Sequence, residues 1–159
     1  MGEGIRLTGL REILANSALD GCLVMSKTNR FYLSNFTGSN GYLLITPTSA
    51  LVFTDSRYIE QATDEAKDFE VYPLRNSYDE LRELVSSMSI SSIGFEDQDV
   101  SYATYQSIVK AVGDSAKLVP MGEAVNRLRI VKDRGELAVV EKAVAIADEV
   151  MEIALASLE

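Results

Sequence analysis

The sequence contains no histidine and no tryptophan, a single cysteine and only three prolines in 159 residues. Without histidine there is no imidazole to act as general base, no serine or cysteine triad built on one, and no imidazole metal ligand. The lone Cys22 excludes an internal disulfide and any cysteine-rich zinc site. It lies in the apolar run Cys22-Leu23-Val24-Met25 and is expected to be a small buried hydrophobe. Positive charge is also scarce: 15 Lys and Arg face 24 Asp and Glu, for a formal charge of −9. The basic residues are scattered, so neither nucleic acid nor an anionic membrane surface is an expected partner. No stretch reaches the roughly 18 apolar residues of a membrane span, and Met1 to Leu14 holds no continuous apolar core of a secretion signal. A cytoplasmic protein is expected, which makes the glycosylation pattern Asn35-Phe36-Thr37 accidental.

The remaining composition is that of a folding chain. Hydrophobic residues make up 47% and charged residues 25%, the proportions of an ordinary globular protein and not of a disordered one. The length suits one core and the start of a second unit.

Periodicity alternates between helix and strand. Leu7, Leu10, Ile13 and Leu14 recur at helical spacing before an Asp20-Gly21 turn, and Cys22 to Ser26 reads as a buried strand. Thr28 to Ser34 suits a short helical turn. Tyr42 to Thr46 and Ala50 to Thr54, separated by Pro47-Thr48-Ser49, form a hairpin pattern. Arg57 to Ala66, Tyr78 to Val85 and Ser101 to Val112 read as helices, with Phe69 to Pro73, Ser92 to Glu96 and Lys117 to Pro120 as strands between and after them. Such alternation implies βαβ units with helices on both sheet faces, and the hairpin makes the sheet mixed. From Asp133 to Ser157 a long helix is expected, with Leu137, Val140, Val144, Ala147, Met151 and Ala154 on one stripe. Gly135 stands awkwardly in its first turn and leaves the helix start open.

Three local patterns are candidates for chemistry. Gly38-Ser39-Asn40-Gly41 could form an anion nest, but it lacks the spacing of a dinucleotide fingerprint and a phosphate-loop lysine, so a tight turn is the stronger reading. Asp55 is placed to cap the helix that follows it. Glu96, Asp97 and Asp99 could be offered as cation ligands, but their spacing does not continue into a calcium loop, and a solvated turn is expected.

Taken in order, Asn29-Arg30-Phe31-Tyr32-Leu33, Phe36-Thr37-Gly38-Ser39, Thr54-Asp55-Ser56-Arg57-Tyr58, Ile93-Gly94-Phe95-Glu96 and Leu128-Arg129-Ile130-Val131-Lys132 resemble the amino-terminal domain of the creatinase, prolidase and aminopeptidase P family. The pattern is most similar to the Xaa-Pro aminopeptidases, with Asn35 where the family often has glycine. The resemblance implies an α/β fold, three-layer α/β/α on a mixed, mostly parallel sheet with a ribonuclease H-like motif. It implies a first domain over 1–128, a linker over 129–133, and, over 134–157, the first helix of a catalytic domain; Leu158-Glu159 is expected to be a vector remnant. The family's catalytic domain binds two divalent metals, manganese, cobalt or zinc, through two aspartates, one histidine and two glutamates, none expected in this chain. The chain alone is therefore expected to be inactive.

The resemblance further implies that this domain helps close the substrate cleft of a homodimer acting on peptides with proline in second position. On that basis Phe36 is expected as an apolar cleft wall and Arg57 as a partner for a carboxylate or carbonyl, with Ser39, Asn40 and Tyr58 beside them. Gly38, Gly41 and Asp55 are expected to be structural. A stand-alone binding or oligomerisation module is the competing reading, and a creatinase-like reaction on a guanidino compound is a third.

Overall fold

The computed structural model describes residues 3–74 and 78–157. Leu158 and Glu159, expected to be a vector remnant, lie outside the described residues. The chain divides into two units, one running to Leu128 and one from Arg129 onward.

The first unit is a six-stranded sheet with helices on both sides. In chain order it runs α1 (Glu3–Asn16), β1 (Gly21–Val24), α2 (Lys27–Ser34), β2 (Tyr42–Ile45), β3 (Ala50–Thr54), α3 (Ile59–Glu65), β4 (Glu70–Pro73), α4 (Asp79–Ser87), β5 (Ser92–Phe95), α5 (Tyr102–Val112), β6 (Lys117–Pro120) and α6 (Ala124–Leu128). The strand order is β4-β3-β2-β1-β5-β6. Strand β2 is antiparallel to β1 and β3, whereas the β1–β5, β3–β4 and β5–β6 pairs are parallel. Five strands thus run one way and β2 alone runs back, the mixed and mostly parallel sheet expected from the hairpin.

The inner strands β1, β2, β3 and β5 are nearly continuous buried runs because both faces are covered. Their side chains alternate between two cores. Cys22, Val24, Leu43, Ile45 and Val52 meet Leu7, Leu10, Leu14, Leu33 and Ala62 from α1, α2 and α3. Leu23, Leu44, Leu51, Phe53 and Ile93 meet Leu81, Val85, Ile108 and Val112 from α4 and α5. Cys22 is fully buried, and burial pushes its thiol pKa up, so it behaves as the expected hydrophobe. The short α6, which periodicity did not reveal, is held by Val125 in the first core. The outer strands β4 and β6 end in Pro73 and Pro120.

Two carboxylates pin the sheet. At the entrance to β1, Asp20 Oδ2 accepts from the backbone N–H groups of Ser91 and Ser92, both at 2.9 Å, and from their hydroxyls at 2.6 and 3.0 Å. These bonds, led by the Ser91 hydroxyl, hold the Asp20 pKa down at about 2. At the other end of β1 and β5, Glu96 corrects the sequence reading: it is not on a solvated turn but 2% exposed. Its Oε2 accepts from the N–H groups of Met25 (2.6 Å) and Ser26 (2.8 Å), and Oε1 from Asn29 Nδ2 (2.6 Å). Ser26 provides no side-chain cap for α2. Glu96, distant in sequence, supplies the anion that the helix N-terminus favours.

The second unit is dominated by α7 (Arg134–Ala156). Asp133 Oδ1 accepts from the Glu136 N–H, and Glu136 Oε2 accepts from the Asp133 N–H, both at 2.9 Å. This capping box settles the helix start despite Gly135. None of its side chains is buried. At about 3.6 residues per turn, the expected stripe is flanked by a second apolar row of Val139, Ile146, Val150 and Ile153, roughly 120° round the helix and all exposed.

Two outcomes test this account. Replacing Glu96 by alanine removes the acceptor of two part-buried backbone N–H groups and one acceptor of the Asn29 amide and is expected to cost at least about 2 kcal/mol in urea unfolding, whereas exposed Asp99→Ala is expected to stay within about 0.5 kcal/mol. Because Asp20 is more acidic folded than unfolded, its stabilisation is complete above its unfolded pKa of about 3.9 and is lost as pH falls toward 2. The slope of stability against pH in that window is expected to flatten in Asp20→Asn.

Candidate functional site

The segments 35–41 and 54–58 come together at the end of the sheet where β1, β3 and β5 finish. Between α2 and β2 the chain must reverse, and Asn35 begins the reversal with φ 57° while its N–H donates to Phe31 O at 2.8 Å. Asparagine tolerates this left-handed conformation well, so it serves where the family often has glycine.

Phe36, expected as an apolar wall, is instead fully buried in the first core. Its ring meets Tyr58 edge-on with centroids 6.3 Å apart, and the Arg30 guanidinium lies 5.4 Å from its centroid. A side chain with no accessible surface supports the loop from beneath. Gly38 follows directly over this ring, where a Cβ would collide with it. Gly41 has φ 137°, and a Cβ there would overlap the Phe53 carbonyl oxygen.

The residues between these glycines are exposed and tied to the second segment. Ser39 Oγ and the Tyr58 hydroxyl share a hydrogen bond of 2.8 Å, Asn40 Nδ2 donates to Asp55 Oδ2 at 2.8 Å, and Thr54 Oγ1 donates to Asn40 O at 2.7 Å. Asp55 does not cap α3, whose N-cap is Tyr58. It accepts instead from Arg57: Nε to Oδ1 and Nη2 to Oδ2, each 2.9 Å, and the Arg57 N–H to Oδ1 at 3.1 Å. The capping expectation fails because the chain makes a turn at 55–58 before the helix starts, with the Tyr58 N–H donating to Asp55 O at 3.0 Å. The Arg57 bonds, then that of Asn40, hold the Asp55 carboxyl below the usual carboxylate range, and Asp55 in turn raises the Arg57 pKa.

This fork-to-fork pair fixes a guanidinium whose side chain remains 69% accessible. Its Nη1 edge is uncommitted, and the Tyr58 ring lies 5.2 Å from its Cζ. Of the five expected cleft residues, four are thus gathered on one surface: Ser39, Asn40, Arg57 and Tyr58. The arrangement offers donors in fixed positions, so it can bind and orient an anionic or carbonyl oxygen.

Arg30 escaped the sequence reading. It is 2% exposed, and its Nη1 and Nη2 donate to the carbonyl oxygens of Gly41 and Gly38. Burial lowers its pKa. The available signal was its position on the face shared with Leu33 and Ser34, three and four residues on. The Glu96–Asn29 pair was missed likewise; Asn29 Nδ2 also donates to Asn126 Oδ1 at 2.8 Å. Among the described residues no group of three or more Asp, Glu, Cys or His could hold a metal ion, so the implied two-metal centre finds no donor set here. No described helix is long and apolar enough to cross a membrane.

A layered sheet closed by this polar loop cluster defines a domain class that the comparisons identify. The model of the creatinase/prolidase N-terminal domain matches residues 6–131, and the chain belongs to that family. An uncharacterized peptidase of Bacillus subtilis (strain 168), YqhT, is 37% identical over 146 residues, 91% of this chain and 41% of that protein. A solved Xaa-Pro dipeptidase from Bacillus anthracis superposes with a TM-score of 0.92 at 30% identity, covering 98% of this chain and 43% of that one. The N-terminal domain of the cytoplasmic peptidase PepQ from Mycobacterium tuberculosis H37Rv gives a TM-score of 0.73 at 33% identity, covering 79% of this chain and 98% of that domain. The chain spans about two fifths of the length of the curated relative.

Gly41→Ala is expected to destabilise the fold by more than about 1 kcal/mol, because it combines a φ that L-residues avoid with a collision against β3. Thermal unfolding of the purified variant measures this.

Proposed function

We propose that this chain is the non-catalytic amino-terminal part of a metal-dependent, cytoplasmic peptidase that cleaves at Xaa-Pro, and that its 38–41 and 55–58 segments form one side of the substrate cleft. The observation that carries the reading is the clamped Arg57, an exposed guanidinium oriented by Asp55 and flanked by Ser39 and Asn40. An Xaa-Pro bond has no N–H to donate, so a cleft for it must hold the peptide by its carbonyls and charged ends. A fixed arginine fork suits that task better than a mobile ammonium. The relatives named for Xaa-Pro cleavage support the substrate class.

In this reading residues 129–133 are a linker and 134–157 open the catalytic domain. The two apolar rows of α7 support that assignment, since together they make an apolar face too wide to be left without cover. The two divalent metals, manganese, cobalt or zinc, belong to that domain, and a homodimer brings the loop surface to a neighbour's cleft.

Sequencing the native transcript beyond the Ser157 codon is the first test. Continuation into a domain with two Asp, one His and two Glu supports the reading, while a stop codon there overturns it in favour of a stand-alone module. In the continuing protein, Arg57→Ala is expected to raise KM for an Xaa-Pro peptide by about tenfold or more, as for a lost charged hydrogen bond, with a smaller change in kcat. An unchanged KM removes Arg57 from the cleft.

A further inference from the structure

Five of the six buried polar side chains of the described residues, Asn29, Arg30, Ser34, Thr54 and Glu96, gather at the end of the sheet that carries the candidate site. Three of them lie on α2, which turns polar groups inward where most helices turn leucines. Arg30 stands out, because a buried guanidinium loses its hydration and is retained only where its donors are used. Both hydrogen bonds made by its Nη atoms end on one loop, at the carbonyls of Gly38 and Gly41, and its Nε has no partner. A side chain that merely filled space would not need this charge, since a methionine has a similar reach.

The two carbonyls lie either side of Ser39 and Asn40. Drawing both onto one rigid fork fixes the span between them and leaves Ser39 and Asn40 as the exposed residues that reach Tyr58 and Asp55. Phe36 backs the fork, its ring packed against the Gly38 position. Asp55 then orients Arg57. The Glu96 carboxylate holds the two amides leading into the helix that carries Arg30 and the Asn29 side chain in its first turn, so the fork is held on a fixed base.

We infer that Arg30 is a positioning residue that holds Ser39 and Asn40 in place for the Arg57 surface from beneath the loop, and that the work requires its two-pronged guanidinium. That the Arg57 surface faces a substrate rests on the proposed function, whereas the Arg30 hydrogen bonds do not. A test without activity therefore separates failure of this inference from failure of that reading.

The measurement is backbone 15N relaxation on the chain and on Arg30→Met and Arg30→Lys. In Arg30→Met, order parameters over 38–41 are expected to fall from about 0.85, the rigid-backbone value, to below about 0.6, while Leu43, Val52 and Ile93 in the sheet keep theirs. Arg30→Lys is expected to recover only part of the order, because one ammonium cannot bracket both carbonyls. Unchanged order at 38–41 in folded Arg30→Met, or full recovery with lysine, overturns the inference. The unaltered chain gives an independent reading should Arg30→Met not fold. A guanidinium clamped on two carbonyls is expected to show resolved Nη signals from slow rotation about its Nε–Cζ bond, and a single averaged signal counts against the clamp.

Discussion

The constraint on which the rest of this structure depends is the need to satisfy α2 at both ends while burying it. The helix has eight residues, too few to be stable alone. The two amides that lead into it, of Met25 and Ser26, are taken by Glu96, its body packs through Leu33, and its Arg30 reaches across to the loop that follows. The Glu96 carboxylate before the helix and the Arg30 guanidinium within it are each used by backbone groups of the opposite polarity, which lets a polar face enter the interior. With α2 fixed, the reversal at Asn35, the reversed strand β2 and the meeting of the two site segments follow geometrically.

The same constraint explains the division of labour at the site. Groups inside the domain, Arg30 and Phe36, act on the shape of the loop. Groups outside, Ser39, Asn40, Arg57 and Tyr58, meet the solvent. Asp55 stands between the two sets: its carboxylate is satisfied by neighbours of both segments, and it spends its charge orienting arginine instead of capping a helix. The resulting surface is preorganised before any ligand arrives, which is the condition for binding energy to be used in orientation.

The sheet was legible because apolar, β-branched runs separated by turn residues report strands; Ala50 to Thr54 and Lys117 to Pro120 match the observed strands at both ends. The long final helix was legible from its period, although its start was settled only by the Asp133–Glu136 capping box. What escaped depends on contacts between residues far apart in sequence. Nothing local in Phe95-Glu96-Asp97 announces that Glu96 turns inward toward an amide seventy residues earlier. Arg30 entered only as one member of the Asn29-Arg30-Phe31-Tyr32-Leu33 segment, with no role of its own. Phe36 was expected as a cleft wall from the family resemblance, whereas its ring fills the first core. The α6 helix is too short to display a period at all.

The proline at the end of each outer strand has a consequence for the way copies of this molecule meet. Pro73 and Pro120 stand at opposite edges of the sheet, but at the same end of it, since β4 and β6 run in the same direction. Neither has an N–H to offer, so an extended segment approaching either margin meets a break in the ladder at the end where the polar loops lie. Templated strand addition, the route by which exposed sheet margins seed fibrils, is thus interrupted on both flanks of the loop cluster, and that end of the sheet is left to be recognised by side chains alone.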